Sequence, residues 1–133
     1  MQAGALPPVV HWLAIPIGLS IFDVILLNEF PDYPSDLEVG KTNLAVRLGL
    51  EKAAWLYLGV AMATWLAFAL SLRFGAPAMA VWFALPVLAV SLWVMCRVLR
   101  GDWRDRGALE RLCAANLVVN LGLTAAYILG CLW

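Results

Sequence analysis

Residues 53–72, AAWLYLGVAMATWLAFALSL, and residues 78–98, AMAVWFALPVLAVSLWVMCRV, are separated only by Arg73-Phe74-Gly75-Ala76-Pro77. Each stretch is almost uninterrupted in its apolar character over about 20 residues, the length a helix needs to cross roughly 30 Å of hydrocarbon. In lipid every backbone polar group must find a partner within its own segment, so both stretches are predicted to be helices. Five residues punctuated by Gly and Pro only turn the chain round, and the two helices become an antiparallel hairpin.

Working outward, residues 9–27 form another apolar stretch, and residues 109–132 a fourth, whose hydrocarbon part is expected to begin near Leu112 because Glu110 and Arg111 precede it. Pro16 and Pro86 fall inside spans, where a kink is tolerated if neighbours satisfy the freed carbonyls. The chain of 133 residues is 64% apolar and 14% charged, with a mean hydropathy of +0.86, well beyond the roughly 45–50% apolar content of soluble domains. The expectation is one all-α integral membrane domain over residues 1–133 with four transmembrane helices embedded in the lipid bilayer. Nine basic and nine acidic residues cancel, so no polybasic face points to a nucleic acid partner. Cys96, Cys113 and Cys131 show no zinc-binding spacing and read as packing residues. With no positive leader region and no small-residue cleavage site, the first stretch reads as a retained helix.

The basic residues set an orientation. Lys41, Arg47 and Lys52 flank the first connection, Arg97, Arg100, Arg104, Arg106 and Arg111 flank the third, and only Arg73 lies in the second. Because cytoplasmic loops hold the excess of Lys and Arg, the first and third connections are expected in the cytoplasm and both termini on the other side of the inner (plasma) membrane. The arginine cluster at 97–111 reads as a topology determinant, with capture of an anionic head group as the alternative.

The chemistry is concentrated after the first span, in Asn28-Glu29-Phe30-Pro31-Asp32-Tyr33-Pro34-Ser35-Asp36-Leu37-Glu38-Val39-Gly40-Lys41-Thr42-Asn43, where four of the nine acidic residues occur in ten positions. Pro31 and Pro34 each remove a donor and disfavour helix in the residue before them, so the first helix is expected to end near Asn28 or Glu29. Ser35 with Glu38 has capping-box spacing and Gly40 suits a left-handed terminus, which suggests a short turn over residues 36–39 within a shaped loop at 28–49. Asp32 and Asp36 are four apart, with Asn28 four before. In a helical course they project to one side, where they suit a magnesium ion that keeps waters and takes substrate phosphate oxygens, with Lys41 and Arg47 for the remaining phosphate charge. An acidic, solvated interfacial loop is the other reading of the same spacing.

The run NEFPDYPSDLEVGKTNLAVRLG closely resembles the second aspartate-rich motif of the UbiA superfamily of intramembrane aromatic prenyltransferases. The resemblance rests on Asp32, Asp36, Gly40, Lys41, Leu44, Val46, Leu48 and Gly49, and its Asn-Glu lead and Val-Arg-Leu-Gly ending are most similar to members that prenylate dihydroxynaphthoate for menaquinone. Asn43 stands where the family often has threonine. Members usually have nine transmembrane helices with one aspartate-rich motif in each half. The four spans here resemble the sixth to ninth, and the Asn-Asp-x-x-Asp motif of the first half does not occur in this sequence. The resemblance implies transfer of a polyprenyl group from a prenyl diphosphate to an aromatic acceptor in quinone biosynthesis. It places Asp32 and Asp36 on Mg2+ and Lys41 on the diphosphate, with Asn28 and Arg47 as further substrate contacts. It also implies a fragment or subunit, inactive alone, that joins an N-terminal half chain or a second copy. The alternative is a non-catalytic subunit or remnant that retains the fold.

Asp23, inside the first span, is costly there and is a functional candidate, expected to hydrogen-bond a ring hydroxyl of the acceptor or else to pair structurally. Cys113, Asn116, Asn120 and Thr124 make a polar stripe at helical spacing, expected to glue helices together. Trp12, Trp55, Trp103 and Trp133 fall near span ends as an interfacial belt, Trp65, Trp82 and Trp93 read as lipid-facing packing, and His11 stands alone.

Overall fold

The computed structural model describes Gly4 and residues 7–133. It contains α1 (Pro8–Glu38), the short α2 (Leu44–Leu48), α3 (Leu50–Arg73), α4 (Ala80–Leu99) and α5 (Arg106–Leu132), with a 3-10 turn at Asp102–Arg104 before α5. Four helices are long and apolar enough to cross a membrane: α1, α3, α4 and α5. The leader reading and the side taken by the extreme N-terminus concern residues outside the described ones.

The first helix does not stop at Asn28. It continues to Glu38 with Pro16, Pro31 and Pro34 inside it, so Asn28–Glu38 is a helical extension, and the connection to α2 is only residues 39–43. At roughly 1.5 Å per residue α1 is about 46 Å long and outreaches the hydrocarbon. Proline costs a helix one donor and disfavours its predecessor, but it does not forbid continuation where tertiary contacts compensate. Those contacts exist. Pro31 leaves the Leu27 carbonyl without an intrahelical donor, and the Cys113 thiol of α5 donates to it at 3.5 Å. Phe30 is buried edge-on to Trp103 at 5.8 Å.

The predicted capping box is also replaced. Ser35 donates to the Asp32 carbonyl at 3.0 Å, inside the helix. The helix then closes in a Schellman motif: Gly40, at φ +71, donates to the Leu37 carbonyl at 3.3 Å, and Lys41 donates to the Asp36 carbonyl at 2.9 Å. Gly40 therefore supplies the left-handed terminus that its position predicts.

The helices form a ring in which α1 packs on α3 and α5, and α5 packs on α4; α3 and α4, although consecutive, touch little. Small residues let backbones approach, as lipid-embedded helices require. A Cβ on Gly130 of α5 would stand 2.8 Å from the Ala80 backbone nitrogen of α4. One apolar cluster, around Leu27, Tyr57, Val94 and Leu112, fills the end nearer α2, and a second, around Phe68, Ala84, Leu123 and Tyr127, fills the hairpin end. The Phe30–Trp103 contact places the first and third connections at one end. Trp12 stacks on Phe74 at 4.1 Å, which places the start of α1 with the second connection at the other.

Candidate functional site

At the motif end, three side chains fold the chain back onto α1. Asn43 is the N-cap of α2, its Oδ1 accepting from the Val46 amide at 2.9 Å. Glu29 of α1 accepts from the next free amide, Ala45, at 2.8 Å. Asp36 receives the Asn43 amide Nδ2 at 2.7 Å on one oxygen and the Lys41 ammonium at 2.9 Å on the other. Helix α2 is thus held by two of its N-terminal amides, which have no partner within the helix and are the groups a short helix most needs satisfied. The Asn43 cap was readable in advance, because an Asn before Leu-Ala-Val is a preferred helix start. Glu29 was not, since no spacing rule links it to an amide 16 positions away.

The two motif aspartates have different surroundings. Asp36 is buried at 6% exposure, whereas Asp32, one turn or about 6 Å of rise earlier, is exposed and carries no ion pair among the described residues. Lys41 lies between them electrostatically. Its hydrogen bond to Asp36, the charge of Asp36 and, more weakly, that of Asp32 raise its pKa above the ordinary lysine value, against a small desolvation in the other direction. Arg47, in the last turn of α2, and Asn28 are exposed. Ala14, Gly18, Ile21, Ile25, Asn28 and Asp32 alternate at spacings of four and three, and all are exposed. That seam is the face of α1 turned away from the bundle.

The donor set fits a magnesium ion. Among the described residues no group of three or more His, Cys, Asp and Glu side chains surrounds a metal position, but magnesium binds through one or two carboxylates with water and phosphate completing its shell. Asp32 has both oxygens open, and Asp36, held in place by Lys41 and Asn43, keeps further lone pairs.

Asp23 is at 3% exposure and lines a small cavity of about 10 Å³ with Ser20, Tyr57, Thr64, Ser91 and Asn116. That is the space of one water. Tyr57, which the sequence reading passed over, is buried and donates to Asn116 Oδ1 at 2.9 Å; a lone tyrosine in a span carries no pattern that would reveal it. The polar stripe of α5 does glue helices: Asn116 bonds Tyr57, Asn120 donates to Ser20 at 2.7 Å, and Cys113 reaches Leu27. Thr124 turns back to the Asn120 carbonyl.

The arginine cluster is partly spent internally. Arg97 pairs with Asp102, and Arg104 lies 4.3 Å over the ring of Trp103. Trp103 is buried and not part of an interfacial belt, while Trp55, Trp82 and Trp93 are exposed. Trp65 donates to Ser91 at 2.8 Å.

Long apolar helices make this a multi-pass membrane protein, with a motif of paired aspartates and lysine at one end. No curated protein and no solved structure matches the chain. The UbiA prenyltransferase family, however, matches it over residues 1–129, nearly its whole length, and the chain belongs to that family.

Proposed function

We propose that this chain forms one side of the catalytic site of a membrane prenyltransferase that moves a polyprenyl group from a prenyl diphosphate to an aromatic acceptor such as dihydroxynaphthoate in menaquinone biosynthesis. The observation that carries the reading is the pairing of an open carboxylate, Asp32, with an anchored one, Asp36, beside Lys41 at the end of a spanning helix. Asp32 and Asp36 hold Mg2+, which when bound offsets the negative charge that a departing diphosphate develops. Lys41 and Arg47 present cationic donors to phosphate oxygens, and Asn28, one turn before Asp32 on the same exposed face, orients the substrate. The eight-to-one distribution of basic residues supports a cytoplasmic motif end in the inner (plasma) membrane.

A diphosphate leaving group carries about three negative charges, and its stabilisation calls for ligands converging from more than one side. This chain offers ligands from one. The exposed seam that ends in Asn28 and Asp32 has the spacing of a helix-packing face, which supports a second polypeptide there: an N-terminal half chain of the same family, or a second copy. The internal neutralisation of Asp36 by Lys41 and Asn43 favours the competing reading, a non-catalytic subunit that retains the fold.

The test is a radiolabelled prenyl transfer assay with magnesium, on this chain alone and co-expressed with a five-span N-terminal half from a related enzyme. Turnover is expected only in the second case. Robust turnover by this chain alone, as a monomer, overturns the half-site reading, and no turnover in either case decides for the non-catalytic subunit.

A further inference from the structure

Inside the bundle the four spanning helices bring six polar side chains to one small cavity: Ser20 and Asp23 from α1, Tyr57 and Thr64 from α3, Ser91 from α4 and Asn116 from α5. Hydrogen-bond accounting leaves most of them satisfied. Ser20 donates to the Ile17 carbonyl and accepts from Asn120, Thr64 donates to the Val60 carbonyl, Tyr57 donates to Asn116 Oδ1, and Ser91 accepts from Trp65. Two fully buried atoms of these six side chains have no partner, Asp23 Oδ1 and Asn116 Nδ2. One is an acceptor and the other a donor, their residues are 3% and 4% exposed, and both line the same cavity of about 10 Å³.

We propose that Asp23 and Asn116 bind a single water molecule, which accepts from Asn116 Nδ2 and donates to Asp23 Oδ1, as an internal hydration site joining α1 to α5 within the membrane. The water's second hydrogen is left for Thr64 Oγ1, whose lone pairs are uncommitted. Three partners and one water's volume are the conditions under which buried water is retained. A cation suits the lining less well, because the free group on Asn116 is an amide donor. No Lys, Arg or His lines the cavity to pair with Asp23, so the polar guest comes from solvent. This inference does not depend on prenyl transfer.

The experiment is infrared difference spectroscopy of the full chain in lipid nanodiscs, exchanged between ordinary and oxygen-18 water. The expected result is an isotope-sensitive O–H stretching band of an isolated water that Asp23→Leu and Asn116→Leu each abolish. Asp23→Asn keeps the volume and an acceptor oxygen and should move the band without removing it, which keeps the test valid if the leucine variants fail to fold. Absence of the band in the unmodified chain, or a band unchanged by Asp23→Asn, overturns the proposal. So does a melting temperature raised by sodium over choline at equal ionic strength in the unmodified chain but not in Asp23→Asn, which identifies the guest as a cation.

Discussion

At the motif end of α1, Asp36 has a partner on each oxygen and the neighbouring Asp32 has an open carboxylate facing outward; some 20 Å deeper along the same helix, Asp23 has an unpartnered oxygen sealed inside the bundle. Openness means different things in the two places. An exposed carboxylate at the membrane surface is solvated at little cost and is available to a ligand. A buried one in apolar surroundings is costly until something satisfies it. The first arrangement suits a site that awaits substrate and metal, and the second suits a small permanent guest.

The largest expected effect separates the two motif aspartates. Asp36→Asn weakens the bonds of a buried carboxylate to the Asn43 amide and to the exposed Lys41 ammonium, which anchor the Schellman turn and α2, and should cost about 1–3 kcal/mol of stability. Asp32→Asn should leave stability within about 0.5 kcal/mol, yet lower magnesium-dependent affinity for a prenyl diphosphate analogue roughly tenfold or more in the full assembly. Thermal unfolding and analogue binding, with and without magnesium, check both. Equal stability losses would erase the distinction between anchored and open carboxylates.

Next in size is the interior. Tyr57→Phe removes the donor to Asn116 Oδ1 and should destabilise by about 1 kcal/mol, read as a lower denaturation midpoint in the same lipid. No change there would mean that the α3–α5 hydrogen bond contributes nothing to stability.

Smaller still is the repair of the Pro31 gap. Cys113→Ala takes the thiol donor from the Leu27 carbonyl and should cost about 0.5–1 kcal/mol. Pro31→Ala restores an amide at that position, so the two changes together should cost less than their sum in a double-mutant cycle. Strict additivity would show that the thiol does not compensate the proline.

The smallest effect concerns pH. Lys41 has a raised pKa, so whatever stability its ion pair adds is fully present below the ordinary lysine value and is lost only as pH rises through the higher folded value. Between pH 6 and pH 9 replacement of Lys41 by Met should therefore change stability by a constant amount. A difference that varies across that window would assign the motif end a titrating group other than Lys41.

Taken alone, the sequence determines four spanning helices, because long apolar stretches have one way to satisfy their backbones in lipid, and it brings Asp32, Asp36 and Lys41 together, because they are near one another along the chain. It also determines the left-handed end at Gly40, where local steric rules decide. It misjudges Pro31 and Pro34: they read as a helix stop, yet α1 runs through them, because Cys113 of another helix and the burial of Phe30 repay a local cost that is visible in sequence with contacts that are not. Only the tertiary structure decides that Asp36 is anchored while Asp32 is free, that Glu29 caps α2, and that Asp23 and Asn116, 93 positions apart, share one cavity. Each of these depends on which faces of separate helices meet, and in a bundle with apolar residues on every side no simple hydrophobic stripe announces that choice.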